Sequence, residues 1–418
     1  MDYKEKHKPV CFKCKIELNK IISNKLISAE KLKIFDHPRR ILEANFPLLR
    51  DDGELEIIKA YRVLYNGDLG PGKGGIRFHA DVTLEEVVEL AFIMSLKNSL
   101  AGLDFGGAKG GVAINPRDYS ATELEKISRS YVREFFNYLG PDIDVPAPDV
   151  NTTSEIMGWM MDEYNKLSGK KVPAFITGKS LADGGSEGRD KATAQGGFFI
   201  IEDRYKNKKK ADMTVAIQGF GNAGGQMAKF LFAAGYKVVA VSDSKIGIYD
   251  PNGLDIEAVY NHVYDTVKKR RLSELDGYTK ISNQELLRLD VDLLVLAALG
   301  GVITYDNVDF VKAKEILELA NGPITARAEE KLLSNGQVVI PDLLANAGGV
   351  IVSVFEWEQN LKDEHWSLTE VESKLKQQII STYQNVISTS DAEKIDLRLA
   401  AHKIALVRIL NKNKIDVV

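Results

Sequence analysis

The sequence predicts an α/β protein of two domains, one of which is built on a doubly wound parallel sheet. The chain holds 418 residues, too many for one ordinary hydrophobic core, since domains usually hold ~100–200 residues. An apolar stretch at 213–218 is followed by a glycine-rich turn, a helical pattern at about 222–234 and a second apolar stretch at 237–241. This strand–helix–strand order is typical of a parallel sheet with helices on its faces.

Shorter patterns assign the segments on either side of this unit. Three more strands are predicted from apolar runs, at 293–297, 315–319 and 338–340. The pattern from 369 onward predicts helices. Earlier in the chain, Thr83 and Glu86 have the spacing of a capping box, in which a hydroxyl and a carboxylate satisfy the first free amides of a helix. Apolar residues recur behind them at helical spacing and predict a helix that runs to about Leu100.

Composition and charge exclude several classes of protein. A hydrophobic content of 44% and a charged content of 27% are ordinary for a globular protein. The net charge of −4 gives no reason to expect nucleic acid or an anionic membrane as a partner. No apolar run reaches the ~18–20 residues of a membrane-spanning helix. The charged start of the chain has no apolar segment of a signal peptide behind it, so we expect a cytoplasmic location.

The sequence contains two cysteines, Cys11 and Cys14. A structural zinc site usually needs four ligands, and the chain has no second cysteine pair, although His7 and His37 could complete a site in principle. We therefore predict no metal. Two ordinary thiols are favoured over a metal site, and a reversible disulfide remains open because the Cys-x-x-Cys spacing suits one.

A glycine-rich fingerprint lies between the two apolar stretches of the strand–helix–strand unit. It comprises Gly219, Phe220, Gly221, Asn222, Ala223 and Gly224. In this pattern the first glycine permits a tight turn, the second lets the backbone approach a pyrophosphate, and the third lets the helix pack closely on the strand. The free amides at the helix N-terminus attract the phosphates. The segment is predicted to bind a dinucleotide.

The end of the second strand bears on the choice of dinucleotide. Asp243 lies near the position, about 20 residues on, where a carboxylate binds the ribose hydroxyls and repels a 2′-phosphate. Ser242, Ser244 and Lys245 surround it, and two hydroxyls and an ammonium could accept that phosphate. NAD is favoured, with NADP or the use of both as the alternative.

Three lysines of the first half have unusual sequence surroundings. Lys73 and Lys109 lie among glycines, and Lys97 lies near the end of the predicted helix. We interpret the glycines around Lys109 as a loop that lets the backbone and the ammonium approach a ligand. A lysine crowded by cations and partly desolvated has a lowered pKa and can transfer protons at neutral pH. Asp149 follows two prolines that restrict its backbone, which suits a positioned carboxylate partner.

Taken one at a time, the lysines would be ordinary surface charges and Asp149 a turn residue or helix cap. Together, however, the strings resemble the glutamate/leucine/phenylalanine/valine dehydrogenase family, and most closely its glutamate-specific members. The resemblance extends from about Arg39 to Asn360. It rests on the strings at 73–77, 106–111, 145–149, 219–222 and 346–350.

The resemblance implies roles for individual residues. Lys109 would activate water and Asp149 would exchange protons with the substrate amine. Lys97 would hold the α-carboxylate, and Lys73 with Ser353 would hold a side-chain carboxylate. Because both of these last positions are polar here, the resemblance implies reversible NAD(P)-dependent oxidative deamination of L-glutamate to 2-oxoglutarate and ammonia. An apolar substrate would leave a buried ammonium without a partner, which is costly.

The resemblance also implies cofactor or substrate contacts at four further positions: Thr177, Thr193, Asn321 and Asn346. The sequence departs from the family pattern at Leu319, where glycine is usual, at Leu296, where proline is usual, and at Glu187, where an apolar residue is usual. The first two departures concern the nicotinamide end of the site and motivate an alternative, a catalytically weak paralogue that binds nucleotide. A dehydrogenase of leucine, phenylalanine or valine is the other alternative.

The implied architecture has two domains separated by a cleft. Residues 1–185 are expected to form a substrate-binding and oligomerisation domain, and 186–368 a Rossmann-type dinucleotide-binding domain. Helices at about 369–418 are expected to pack back on the first domain. The resemblance further implies a homo-oligomer, a hexamer in many members of the family.

Overall fold

The computed structural model describes residues 12–265 and 270–413, which form two compact units. The first unit contains residues 12–189, 350–371 and 401–413, and the second contains the remainder. The expected bounds place 350–368 in the dinucleotide-binding domain, whereas these residues cluster with the first unit. The helix that begins at Gly348 accounts for this, because its Ser353 and Glu356 are buried against residues 176–179.

The first unit contains a five-stranded sheet. Its leading elements are α1 (Phe12–Ser23), α2 (Ala29–Leu32), β1 (Arg40–Leu49), β2 (Leu55–Asn66), β3 (Gly72–Phe78), α3 (Leu84–Leu100), β4 (Gly106–Val112), α4 (Ala121–Phe135), β5 (Asp144–Pro148) and α5 (Ser154–Ser168). The strand order is β1-β2-β4-β3-β5. Strand β2 is antiparallel to both β1 and β4, and β3 is parallel to both β4 and β5.

The core of this unit lies between the sheet and helices α4 and α5. Ile58 and Phe78 of the sheet pack there with Tyr131 of α4 and Met157 of α5, and all four are buried. Burial of a large apolar side chain stabilises the folded state by about 1.5–3 kcal/mol. The carboxyl ends of the parallel strands β3 and β5 are thereby held side by side.

Helix α3 ends at Leu100, as predicted, but its capping box is only half formed. The Thr83 hydroxyl accepts a hydrogen bond of 3.2 Å from the amide of Glu86. The Glu86 carboxylate pairs with Arg77 instead of returning to the Thr83 amide. An available cation is a stronger partner for a carboxylate than a backbone amide, so the ion pair replaces the second bond of the box.

The predicted glycine loop around Lys109 is wrong, because residues 106–112 form the buried strand β4. A Cβ at Gly107 would overlap the backbone nitrogen of Ser95 on α3, and a Cβ at Gly106 would overlap the carbonyl oxygen of Asn66 on β2. The glycines therefore do serve packing: they let a helix and a neighbouring strand approach β4 more closely than any side chain permits.

The second unit is built on a seven-stranded sheet. Its elements are α6 (Ala192–Arg204), β6 (Thr214–Gln218), α7 (Asn222–Ala233), β7 (Lys237–Ser242), β8 (Gly247–Tyr249), α8 (Ile256–Val263), β9 (Thr279–Ile281), α9 (Asn283–Leu287), β10 (Leu293–Leu296), β11 (Glu315–Glu318), α10 (Ala326–Ser334), β12 (Val338–Ile340) and α11 (Asp342–Ala345). Helices α12 (Gly348–Lys362), α13 (Leu368–Glu393) and α14 (Leu397–Lys412) complete the chain.

The strand order of this sheet is β12-β11-β10-β6-β7-β8-β9, and the first five strands are parallel. The predicted α/β class and doubly wound sheet are confirmed. Strands β8 and β9, which the sequence analysis did not find, extend the sheet in antiparallel fashion. They are only three residues long, too short for a readable alternation. Among the described residues, no helix has the length and apolarity to cross a membrane.

Candidate active site

Lys109 and Asp149 meet in the first unit. Lys109 lies on β4 and is 5% exposed, and Asp149 directly follows β5. The Lys109 ammonium donates to Oδ2 of Asp149, and Nε of Arg77 donates to Oδ1 over 3.0 Å. The Asp149 amide donates to Oγ1 of Thr152 over 2.7 Å, which fixes the backbone that carries the carboxylate. The structure thus brings together two residues that lie forty positions apart in the chain.

Two cations set the ionisation of Asp149. Burial alone would raise the pKa of Asp149, but the charges of Lys109 and Arg77 and their hydrogen bonds outweigh burial and hold that pKa below its usual range. Asp149 is therefore a carboxylate at neutral pH. Arg77 was given no role by the sequence analysis, although it lies in a string quoted for the family resemblance. Its role follows from its spatial position: it is the penultimate residue of β3, the strand that lies beside β5.

Lys73 and Ser353 are also brought together, through a third residue. The Lys73 ammonium, on β3 and 1% exposed, donates to Oγ1 of Thr177 over 2.6 Å. Oγ1 of Thr177 lies 2.6 Å from Oγ of Ser353 on α12. A buried ammonium and two hydroxyls form a compact polar cluster, which we call the side-chain subsite. Such a cluster can bind a carboxylate, because all three groups can donate hydrogen bonds to it.

The charges around Lys73 are unevenly balanced. Burial lowers the pKa of Lys73 well below its usual range, and Glu356 opposes this effect only in part. Arg62, which pairs with Asp144, lowers that pKa further. Lys73 thus lies among cations, and its side-chain hydrogen bond is to the Thr177 hydroxyl, not to a carboxylate. A ligand carboxylate would supply the missing negative charge.

Lys97 lies on the last turn of α3 and is buried. The same helix packs Ser95 against Gly107 of β4, two positions before Lys109. Lys97 therefore belongs to the helix that packs against β4, the strand that carries Lys109.

The glycine fingerprint in the second unit forms a tight turn that leads directly into α7. Gly219 has φ +94°, and a Cβ there would lie 2.8 Å from the backbone carbon of Ala297. A Cβ at Gly224 would overlap the carbonyl oxygen of Gly219. A Cβ at Gly221, by contrast, would meet nothing within 4 Å. The first and third glycines thus serve the turn and the helix packing, and the second leaves open space at the N-terminus of α7.

Asp243 closes the turn after β7. Its Oδ1 accepts hydrogen bonds from the amides of Lys245 and Ile246, at 2.7 and 3.0 Å. Ser242 is buried, and its hydroxyl donates to Oδ1 of Asn283 over 2.7 Å, so it does not face a ligand. The suggestion that Ser242 helps to bind a 2′-phosphate is therefore wrong. Ser244 and Lys245 are exposed and remain candidates.

Asn321 and Asn346 are neighbours in the second unit. Nδ2 of Asn346 donates to Oδ1 of Asn321 over 2.9 Å, and the Gly322 amide donates to Oδ2 of Asp342 over 2.9 Å. These bonds hold the loop that follows β11. Thr193 lies half-buried in the first turn of α6.

The three departures from the family pattern are accommodated. Leu319 is buried, and its Cδ1 lies 3.1 Å from the position of a Cβ on Gly197 of α6, so that glycine makes room for it. Leu296 is fully buried as the last residue of β10. Glu187 is exposed, where a charge is solvated at little cost. None of these side chains displaces a residue of the candidate site.

Cys14 is buried and disulfide-bonded, whereas Cys11 lies outside the described residues. The sequence analysis favoured two ordinary thiols, and for Cys14 this prediction is wrong. Within residues 12–265 and 270–413, no group of three His, Cys, Asp or Glu side chains could hold a metal ion.

A dinucleotide fingerprint on a parallel sheet, together with a separate lysine–aspartate couple, defines a dinucleotide-dependent enzyme. Two family models match the chain: Glu/Leu/Phe/Val dehydrogenase, dimerisation domain, at residues 38–166, and Glutamate/Leucine/Phenylalanine/Valine dehydrogenase at 184–416. The chain belongs to this dehydrogenase family.

Named relatives agree with this assignment. The chain is 45% identical to an NADP-specific glutamate dehydrogenase of Synechocystis sp., covering 91% of this chain and 90% of that protein. It is 44% identical to an NAD-specific glutamate dehydrogenase of Staphylococcus aureus, covering 90% of each. Its fold is similar to a hetero-hexameric glutamate dehydrogenase of Thermus thermophilus, with a TM-score of 0.89 and 34% identity over 97% of both chains.

Proposed function

We propose that this enzyme catalyses the reversible oxidative deamination of L-glutamate to 2-oxoglutarate and ammonia with NAD or NADP. The side-chain subsite carries the substrate assignment, because it presents Lys73, Thr177 and Ser353 where a second carboxylate would bind. The glutamate dehydrogenases among its relatives, at 44 and 45% identity, support the same substrate.

The physical basis of this choice is the cost of an unsatisfied buried charge. A leucine or phenylalanine side chain in the subsite would cover Lys73 without pairing it, and burial of an unpaired ammonium is expensive. Sites built around buried polar groups reject analogues that lack the matching group by ~10⁴–10⁵-fold. We assign Lys97 to the α-carboxylate, since amino-acid substrates bring a carboxylate at that end as well.

Lys109 and Asp149 would handle the protons. Asp149 is ionised and can accept a proton from the substrate ammonium, because hydride departure from Cα requires a neutral amine. The charge of Lys109 is one cause of the lowered pKa of Asp149, so a proton lost from Lys109 makes Asp149 a stronger base. In the same couple, Lys109 would activate the water that attacks the imine carbon and releases ammonia.

The dinucleotide would be held by Gly219, Phe220, Gly221, Asn222 and Ala223. When bound, its oxidised nicotinamide accepts the hydrogen and the electron pair that leave Cα. The open space at Gly221 and the free amides of α7 fit the pyrophosphate. Asn321, Asn346 and Thr193 are assigned to the remainder of the cofactor. Asp243, fixed by two amides, favours the ribose hydroxyls of NAD, and Lys245 supports NADP as the alternative.

Initial rates separate this proposal from its alternatives. We expect kcat/KM for glutamate to exceed those for leucine, phenylalanine and valine, with NAD and NADP compared side by side. Lys73→Leu should move the preference toward apolar amino acids. A higher kcat/KM for leucine in the unaltered enzyme would contradict the glutamate assignment.

The weak-paralogue alternative has a distinct outcome. Protein that binds NAD but does not reduce it with millimolar glutamate would favour a nucleotide-binding subunit. The intact couple of Lys109 and Asp149 supports the enzyme instead.

A homo-hexamer is proposed for the assembly, supported by the hetero-hexameric relative of Thermus thermophilus. The cytoplasmic location also stays a prediction. Sedimentation of the purified protein tests the hexamer directly.

A further inference from the structure

Glu356 is a buried carboxylate that the proposed mechanism does not use. It lies on α12, three positions after Ser353, and its side chain is fully buried. Oε2 accepts the Gly178 amide over 2.8 Å. Oε1 accepts the Lys179 amide over 3.3 Å and the Lys179 ammonium over 2.7 Å. Burial of a carboxylate is costly, and here three donors satisfy it.

These bonds close residues 176–179 around the carboxylate. The Lys179 ammonium also donates to the carbonyl of Ile176 over 2.6 Å, so both ends of the segment are tied to one ion pair. Thr177 lies inside this closed segment, and its hydroxyl is the group that joins Lys73 to Ser353. The Glu356 carboxylate therefore anchors the backbone next to Thr177 without touching its hydroxyl.

The opposite side of the segment has no spare room. Gly178 has φ +81°, and a Cβ there would overlap the ring of Pro148, the residue before Asp149. The amide of Thr177 donates to the carbonyl of Pro146 over 3.1 Å. The segment is held between β5 and Glu356, and loss of either support would let the Thr177 hydroxyl move.

We propose that Glu356 is a positioning residue that sets the selectivity of the side-chain subsite for a carboxylate. Glu356 does so by holding Thr177 between Lys73 and Ser353. The proposal rests on the proposed function, because it takes the ligand of that subsite to be the side-chain carboxylate of glutamate. Glu356 also lies close enough to Lys73 to favour its charged form. A single buried carboxylate thus supports both the hydroxyl and the ammonium that a substrate carboxylate would meet.

The test compares glutamate with L-norvaline, which has the same carbon chain but a methyl group in place of the side-chain carboxylate. Glu356→Gln retains the shape of the side chain but places an NH2 group against one of its former donors. We expect KM for glutamate to rise ~10–100-fold with a smaller change in kcat, since small displacements of positioned groups cost up to ~10²-fold. The kcat/KM for norvaline should change little, so the ratio of the two substrates falls.

Two further variants separate positioning from general destabilisation. Glu163→Gln alters another buried carboxylate of the same unit, which pairs with Arg129 and Arg133, and should leave the substrate ratio unchanged. The double variant Glu356→Gln/Lys179→Met removes the unpaired ammonium as well. This double variant should have a thermal unfolding midpoint closer to that of the unaltered enzyme, and it should retain the lowered ratio of kcat/KM for glutamate to that for norvaline. If the single variant does not fold, the double variant tests the proposal in its place.

An unchanged substrate ratio in Glu356→Gln would overturn the proposal, and so would a ratio that recovers in the double variant. The unaltered enzyme tests the proposed function separately. If it shows no preference for glutamate over norvaline, the substrate assignment fails, whereas a preference that Glu356→Gln leaves undiminished contradicts only the role of Glu356.

Discussion

Two segments of the molecule, β4 and the fingerprint at 219–224, are both rich in glycine, but their glycines have different structural roles. In β4, a Cβ at Gly106 or Gly107 would overlap backbone atoms of β2 or α3. In the fingerprint of the second unit, a Cβ at Gly221 would meet nothing within 4 Å. The glycines of β4 make room for other parts of the protein, whereas Gly221 leaves open the space that we assign to the cofactor.

The comparison shows what glycine content alone can and cannot indicate. A glycine whose missing side chain is replaced by backbone contributes to packing, whereas a glycine that faces open space at a helix N-terminus leaves the amides there accessible to an anion. Lys109 shares β4 with the first kind, so its role depends on its pairing with Asp149 and not on a flexible loop.

The largest expected effect concerns the chemistry of the first unit. Lys109→Ala should lower kcat by about 10²–10⁴-fold, since general acid–base groups typically contribute that much. Cofactor binding, measured by titration of NADH fluorescence, should be retained because the fingerprint lies in the second unit. Turnover equal to that of the unaltered enzyme would refute the role of Lys109.

Gly107→Ala should weaken folding itself. The added Cβ overlaps a backbone nitrogen, which cannot rotate away as a side chain can, and overpacking of this kind costs roughly 1–3 kcal/mol or more. Urea unfolding measures the loss. A free energy of unfolding within about 0.5 kcal/mol of the original value would show that β4 tolerates a side chain.

Gly221→Ala should have the opposite profile. Its φ of −83° suits alanine and the Cβ has space, so the free energy of unfolding should change by at most about 1 kcal/mol. The Kd for NAD should rise about 10-fold or more, because the methyl group occupies the space into which the pyrophosphate fits. Calorimetric titration gives the Kd. An unchanged Kd together with an unchanged stability would remove Gly221 from the site.

The last prediction concerns the pH dependence of stability, in which Glu318 of β11 should behave differently from Asp149. Burial raises the pKa of Glu318 to about 8; the nearby Arg398 opposes this, and the carboxylates of Asp342 and Glu329 raise the pKa further. The folded protein therefore holds a proton that the unfolded chain releases near 4.5, so stability falls as pH rises from about 4.5 to about 8. Glu318→Gln should flatten this dependence.

Urea unfolding at several pH values between about 5 and 9 measures the dependence for both proteins. A slope that is the same in Glu318→Gln as in the original protein would show that Glu318 does not titrate in this range. Glu163→Gln provides the matched comparison, since Glu163 is a buried carboxylate between two arginines.

Much of the second unit could be predicted because its signals are local. The strands β6 and β7, the helix α7 and the fingerprint between them follow one another in the chain, and the close approach of Gly224 to Gly219 lies within the fingerprint itself. The end of α3 at Leu100 was predicted for the same reason. The short strands β8 and β9 were missed because three residues show no readable period.

The sequence by itself determined the α/β class, the dinucleotide loop and, through the family resemblance, the identities of Lys73, Lys109, Asp149 and Ser353. Only the tertiary structure decided which residues support them. Arg77 reaches Asp149, and Glu356 holds the segment of Thr177, across separations of 72 and 178 positions. Contacts between distant segments leave no periodic pattern in a single chain, because they depend on how strands and helices pack and not on the spacing of residues along the backbone.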